Sequence, residues 1–354
     1  RVVAADGSAR LAMQDAMPRD KDGVMMGGEA FADRDGWSPL TPLVFALPGV
    51  ALMPATPVEH QPFDIAASLR DDSPTIVVRA DTGERVAHWL ELDHFAREDG
   101  VPIVFLRFAR PLAFGTRYVV AVRNLRGAAG DVLPPTPGFR ALRDATVSTV
   151  VGTHARRPHF EAALFPVLAT AGVARADLQL AWDFTTASET NTTGPILAMR
   201  EALYAAVGAD GPAYMIDSVD EPGPEHIARL VHLTVQVPSF LLPPDEHGVR
   251  LLRRGPDGLP RAEGSEPIAV EIQVPYAALA APGEAGMLQY GHGLFWSREE
   301  GRKDWLREIA DRDNLLIVAL DMEGMSEPNI PYWANTLAVN MGAFPRLAEW
   351  PTQG

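Results

Sequence analysis

Residues 287–320 read MLQYGHGLFWSREEGRKDWLREIADRDNLLIVAL, and the order of patterns in this stretch decides the fold class. A short strand-like run, MLQYGH (287–292), stops on a Gly-His-Gly turn. SREEGRKDWLREIADRD (297–313) follows with helical spacing, Ser297 as N-cap and Glu299 and Glu300 in its first turn, where carboxylates meet the positive end of the helix dipole. LLIVAL (315–320) is then an unbroken apolar run, the signature of a strand covered on both faces. Strand, helix and buried strand make a βαβ unit, so residues 286–354 open a parallel sheet and carry it hardly further.

Working outward, the preceding residues 208–285 read as a second β-rich module. RLVHLTVQVPSFL (229–241) and PIAVEIQVPYAAL (267–279) flank a polar, Pro/Gly-rich excursion at 243–266 that suits a long hairpin or an insertion. Residues 146–207 read as a helical connection holding one strand. RPHFEAALFPVLATAGV (157–173) places apolar residues on one helical face, with Pro166 set to kink or split it. LQLAWDFTTAS (178–188) is the strand, and TGPILAMREALYAAV (193–207) a helix with Thr193 as cap.

Residues 63–145 carry four short β-branched and aromatic runs, TIVVRA (75–80), ERVAHWLEL (84–92), PIVFLRF (102–108) and TRYVVAVRNL (116–125). Turn signals at Asp81-Thr82-Gly83, Asp99-Gly100 and Phe114-Gly115 separate them, as in an Ig-like β-sandwich. Residues 1–62, rich in Pro, Gly and Asp, are an extended lead-in. The expected class is therefore mixed: β-sandwich modules, then the start of a parallel α/β sheet.

Composition narrows the function. The formal charge of −15 opposes the cationic footprint that nucleic acids or anionic membranes require. Cysteine is absent, which removes disulfides, thiol nucleophiles and thiolate zinc sites together. No run reaches the ~18 apolar residues of a membrane span. The nine histidines show no HExxH or similar ligand spacing, so no metal is expected, and neither G-x-G-x-x-G nor a Walker loop occurs, so no nucleotide cofactor is expected either. Asp20-Lys21-Asp22-Gly23 matches the start of a calcium loop, but Phe31 stands where the closing carboxylate belongs, and a surface turn is the plainer reading. Asp217, Asp220 and Glu221 read as solvated acids.

The chemistry-bearing stretch is Gly291-His292-Gly293-Leu294. In acyl transfer the tetrahedral intermediate carries an oxyanion that preorganised backbone N–H groups must meet. A Gly-rich turn at the C-terminal end of a parallel strand can present one, with Leu294 as donor, Gly293 permitting close approach and His292 steadying the loop. The plainer reading is a turn that merely joins strand to helix. No G-x-S-x-G elbow exists; the nearest approach is Gly-Met-Ser-Glu-Pro at 324–328, whose Ser326 is either a weak nucleophile candidate or a turn serine. Phe295 and Trp296, with Tyr332 and Trp333, would line an apolar substrate pocket or belong to the core.

With these residues in view, the chain resembles exported bacterial α/β-hydrolases related to virulence-factor lipases, in which Ig-like modules precede the catalytic domain. DGWSPLTPLVFALPG (35–49), DTGERVAHWLELD (81–93), LAWDFTTAS (180–188), LQYGHGLFWS (288–297) and IVALDMEGMSEPNI (317–330) carry the likeness. It implies a secreted or surface-anchored carboxylic ester hydrolase working through a Ser-His-Asp triad on an ester or lipid, with the oxyanion motif on His292, Gly293 and Leu294. The triad finds no counterpart among these residues. The expectation is thus an N-terminal portion of a longer protein, either cut with its C-terminal companion still bound or simply ending early, with Arg1 preceded by a segment removed or not included and AEWPTQG (348–354) compatible with a processing loop. The rival reading is a cell-surface binding protein with a degenerate hydrolase-like portion.

Overall fold

A computed structural model of the chain describes residues 2–3, 9–11, 19–26, 31, 33–51, 64–93, 101–245, 249–344 and 347. The Asp99-Gly100 turn and the AEWPTQG ending lie outside them. The chain forms two compact units, residues 1–11 with 33–192, and residues 12–32 with 193–354. The class is mixed helix and sheet, and among the described residues every pairing between strands is antiparallel except one.

In the first unit, strands β1 (Val2–Val3) and β2 (Ala9–Arg10) form a minimal ribbon. β3 (Leu43–Ala46), β4 (Thr75–Arg79), β5 (His88–Leu92), β6 (Ile103–Phe108), β7 (Arg117–Arg123) and β8 (Leu178–Thr185) make two three-stranded sheets, ordered β3-β6-β5 and β4-β7-β8. Phe45, Leu90, Val104 and Leu106 from the first sheet share a core with Val77, Tyr118, Val120 and Val122 from the second. The alternate residues Ile76, Val78, Val119 and Ala121 face helices α1 (Pro137–Arg143), α2 (Thr153–His159) and α3 (Phe165–Thr170), meeting Phe139, Phe160, Leu164 and Leu168. This explains why RYVVAVR is apolar without alternation: successive side chains point to opposite faces, and both faces are covered.

The expected boundaries at 62 and 145 do not enclose this arrangement. Its sheets take β3 from the lead-in and β8 from the helical connection, because strand pairing follows hydrogen-bond partners that sequence periodicity cannot name. Trp37 also joins β8: its N–H donates to Thr185 O (2.9 Å), and Ala187 N–H donates to Trp37 O (2.8 Å). Gly36 permits that approach, since a Cβ there would stand 2.4 Å from the Thr186 carbonyl carbon.

The helix expected over 157–173 is broken. α2 passes into a π-helical turn, Phe160–Leu164, before α3, whose first turn holds Pro166. A proline has no N–H to give the preceding turn, and the wider π turn absorbs that loss. The next helix, α4 (Glu189–Val207), starts four residues before the expected Thr193 cap. Ser188 caps it instead, its Oγ accepting Asn191 N–H at 3.1 Å.

In the second unit, β9 (Tyr214–Asp220), β10 (Ile227–Pro238), β11 (Ser265–Pro275), β12 (Gly286–Tyr290) and β13 (Leu315–Leu320) form one sheet ordered β12-β13-β11-β10-β9. The boundary placed at 285 therefore does not separate two sheets. β10 and β11 are a long antiparallel hairpin whose connection runs from 239 to 264, so the expected 243–266 excursion falls within it except for Ser265 and Glu266, which pair in β11. β11 then pairs antiparallel with β13, four residues in register from Val270↔Leu320 to Gln273↔Ile317. β12 and β13 pair in parallel, joined through α6 (Asp304–Arg312), so the expected βαβ unit is present. α5 (Tyr276–Ala280) and α7 (Ile330–Val339) complete the unit, and the aromatic residues of α7 pack with Met199, Phe240 and Leu241.

One expectation about this βαβ unit meets only half its mark. LLIVAL reads as covered on both faces, yet Ile317 and Ala319 alone are buried, the former with Leu306 and Ala310 of α6. Leu316, Val318 and Leu320, on the opposite face, stay half-buried. The helix expected from Ser297 also starts later. Residues Arg298–Arg302 form a 3-10 turn and α6 begins at Asp304, because the polar groups of that turn bond sideways into the sheet and the preceding loop.

Candidate active site

The C-terminal ends of β12 and β13 lie side by side because the strands are parallel and in register, with Tyr290 opposite Ala319. Two loops leave from there, 291–297 and 321–329. Ligands bind at this end of parallel sheets because the strand ends and helix starts leave backbone donors unspent.

Gly293 to Trp296 is a β-turn closed by Trp296 N–H donating to Gly293 O at 3.0 Å. Phe295, third in the turn, has φ = 61°, a left-handed conformation that a bulky residue holds only when its surroundings fix it. They do so here. Phe295 N–H donates to Met325 O (2.8 Å), its ring lies 5.7 Å from that of Trp333, and Trp333 Nε1–H donates to Gly324 O (2.9 Å). Glu327 N–H donates to Trp296 O (3.1 Å), so the two loops are laced along their length.

His292 is the buried pin of this lacing, 5% exposed. Its Nε2 lies 2.9 Å from Met322 N and 3.1 Å from Ser326 Oγ, and its Nδ1 lies 2.7 Å from Gly293 O. Met322 N–H can only donate, so Nε2 accepts and the ring proton sits on Nδ1, donating to Gly293 O. Ser326 is 3% exposed, and its hydroxyl donates to Met322 O at 2.6 Å while Asn329 Oδ1 accepts its backbone N–H at 2.9 Å. The His292 and Ser326 side chains touch, but the Nε2 lone pair is occupied by a backbone donor and the hydroxyl proton by a carbonyl. This geometry leaves Ser326 without the free, base-facing hydroxyl of a nucleophile. Ser326→Ala is accordingly expected to lower stability by about 1–3 kcal/mol, through the unsatisfied Met322 carbonyl, and to leave any turnover of the complete protein within twofold. Urea denaturation and a turnover assay of the same preparation check both halves.

Acidic side chains hold the loop from below. Glu300 accepts Gly293 N–H at 2.6 Å and Lys303 Nζ at 2.7 Å. Asp321, just after β13, accepts Arg298 N–H at 2.6 Å and pairs with its guanidinium. Glu271, fully buried on β11, receives Arg302, and Gln273 beside it donates to Gly301 O at 2.8 Å. The spacing of these acids along the chain carries no sign of this: Glu300 reads as a first-turn helix charge, and Glu271 as one polar residue in a strand.

Gly293 N–H is taken by Glu300, and the next N–H along the turn is that of Leu294. It meets no acceptor among the described residues, and the residue is 64% exposed. Trp296 beside it is 62% exposed, whereas Phe295 is half-buried against Trp333, and Tyr332 and Trp333 join the core around Leu347. Of the four aromatic residues expected to line a pocket, only Trp296 faces out broadly.

The lysine ammonium first, and the Gly293 N–H second, hold the Glu300 carboxyl below its ordinary range. An acid whose folded pKa is depressed adds stability that is present above its unfolded value and lost as pH falls through the folded one. Protection of the Gly293 amide against hydrogen exchange, corrected for intrinsic rate, is therefore expected to persist at neutral pH and to fall only at pH below the ordinary glutamate range. Glu300→Gln, which keeps an acceptor without a charge, removes that pH dependence. Protection that stays constant across the acid range in the parent protein rules the clamp out.

The calcium-loop reading at 20–23 has a structural answer as well. Asp20 Oδ1 accepts the N–H groups of Asp22 and Val24 (2.9 Å each), and Oδ2 accepts that of Met341 (3.2 Å), so the carboxylate is spent on a turn. Among the described residues, no group of three or more potential metal ligands is present. No helix there is long and apolar enough to cross a membrane. Comparison with protein-family models, curated proteins and solved structures finds no match to this chain.

Proposed function

We propose that this chain is the leading part of a serine hydrolase with the α/β-hydrolase fold, preceded by an Ig-like sandwich and acting on an ester or lipid outside the bacterial cell. The observation that carries the reading is the unpartnered Leu294 N–H, held on a clamped turn at the end of β12, where a parallel strand passes through α6 to its neighbour. One oxyanion donor of that fold comes from such a strand-to-helix loop and the other from the residue after the nucleophile. Attack by the serine would place negative charge on the substrate oxygen, Leu294 N–H would meet it, and water would then release the acyl group from the enzyme. That chemistry calls for no metal or organic cofactor.

The serine, its base and its acid are assigned to a companion part, covalently continuous or processed and retained. Two features support a missing layer. β12 is a sheet edge with Met287 72% exposed, and β13 carries Leu316, Val318 and Leu320 on a face that the described residues cover only in part. Further parallel strands and a helix would bury both.

A second reading, a surface binding protein, is favoured by β9 alone. Its seven residues are all exposed, including Tyr214, Met215 and Ile216, an apolar edge strand of the kind that binds another chain. Treatment of the natively produced protein with a fluorophosphonate probe, followed by mass spectrometry under denaturing conditions, separates the two. A stoichiometric adduct outside residues 1–354 is the expected result. An adduct on Ser326 would move the nucleophile into this chain, and no adduct would give the binding reading its place.

A further inference from the structure

In the first unit, the open side of the sandwich between edge strands β3 and β8 is walled by α1 and α2, and encloses a cleft of about 720 Å³. That volume lies within the ordinary range for small-molecule sites, about 300–1,000 Å³. Its lining is mixed: Phe45 and Phe139 are buried and Leu180 and Trp182 half-buried on the apolar side, while Thr136, Thr153 and His159 add polar groups. At the rim, Val150 and Val151 are 47% and 98% exposed.

The charges around this cleft do not cancel. Asp183 is its only lining acid, and both oxygens are engaged, one by His159 Nε2 (2.9 Å) and the other by Arg117 Nε (2.7 Å). Arg117 therefore balances Asp183. Arg156 also lines the cleft, and its guanidinium has no acceptor among the described residues. Arg156 is exposed at the mouth of the cleft, and a guanidinium with no acceptor among the described residues beside apolar walls suits an apolar ligand that bears an anionic group.

We propose that this cleft binds an amphipathic monocarboxylate, a fatty-acid-like molecule whose tail lies along Phe45, Leu180 and Trp182 and whose head pairs with Arg156. The site stands on residues of the first unit and does not depend on the hydrolase reading of the second.

Isothermal titration calorimetry of the intact protein with decanoate, below its micelle concentration, tests this directly. Saturable binding at one site is expected, at least tenfold tighter than that of decanol, which has the same tail and no charge. Arg156→Glu, which reverses the charge at the mouth of the cleft, is expected to weaken decanoate at least tenfold and to leave decanol unchanged. Arg156→Lys, which keeps the charge, retains part of the affinity and controls for misfolding. Absence of saturable binding, equal affinity for decanoate and decanol, or an Arg156→Glu variant that binds decanoate as the parent does would each overturn the assignment.

Discussion

Replacing Leu294 by proline is expected to cut turnover of the complete protein by about 10²-fold or more, while Leu294→Ala stays within a few-fold of the parent. The pair of substitutions separates backbone from side chain, since alanine keeps the N–H and proline deletes it. Ordinarily a proline would confound the result by disturbing the loop, but the turn makes it tolerable here. Leu294 is the second residue of a β-turn closed from Trp296 N–H to Gly293 O, with positive φ at the third residue. In turns of that type the second residue has φ near −60° and proline is common there. Gly293 before it accepts the restriction that proline imposes on its predecessor, and no acceptor in the described structure loses a hydrogen bond with the deleted N–H. Circular dichroism and denaturation midpoints of the proline variant should match the parent closely, and the loss should fall on kcat more than on KM, because the oxyanion forms only after substrate has bound. Equal turnover in a folded Leu294→Pro variant would remove this N–H from the site.

The same loop shows how far the sequence could be read. Gly-His-Gly after a strand and before a helix announces a βα turn, and the apolar run LLIVAL announces its second strand; both follow from local composition and hold in the structure. Long-range partners are a different matter. That β11 would lie beside β13, and that β8 would close a sheet with β7, depends on pairing between residues 44 to 68 positions apart, about which alternation of polar and apolar residues is silent. The clamps were hidden for a related reason. Glu300, Asp321 and Glu271 come from three separate segments and converge only when the sheet is assembled, whereas Glu299 and Glu300 read locally as helix-start charges. His292 was legible as a loop anchor because a Gly-flanked histidine at a strand end has few other uses, but its contact with Ser326 crosses 34 residues. The Arg156 cleft left no trace at all: its walls come from β3, α1, α2 and β8, each an ordinary amphipathic segment by itself.

Breaking the buried ion pair under the loop is expected to give the largest stability change in the second unit. Glu271 has no exposed side-chain surface, and Arg302 meets it through Nε, at 2.9 and 3.0 Å from the two carboxylate oxygens, and through a terminal nitrogen. His232 Nδ1 lies 3.8 Å from the same carboxylate. Arg302→Met leaves a carboxylate in a site built to exclude water, an effect of about 3–5 kcal/mol when a buried pair loses one member. The lower end applies, because the Arg302 side chain is 30% exposed and water reaches part of the vacated space. The double variant Glu271→Leu with Arg302→Met removes both charges, and is expected to recover all but about 1 kcal/mol of that loss, since replacing a buried pair by apolar groups of similar size is often neutral. Urea denaturation followed by tryptophan fluorescence measures both, and hydrogen exchange at residues 298–302 shows whether the 3-10 turn loosens with them. If the single and double variants are equally destabilised, the loss comes from packing of the arginine stem and the pair contributes nothing of its own. If the double variant is stable but the Gly293 amide loses its protection, the pair acts chiefly by setting the turn that carries Glu300, and through it the conformation in which Leu294 N–H stays free.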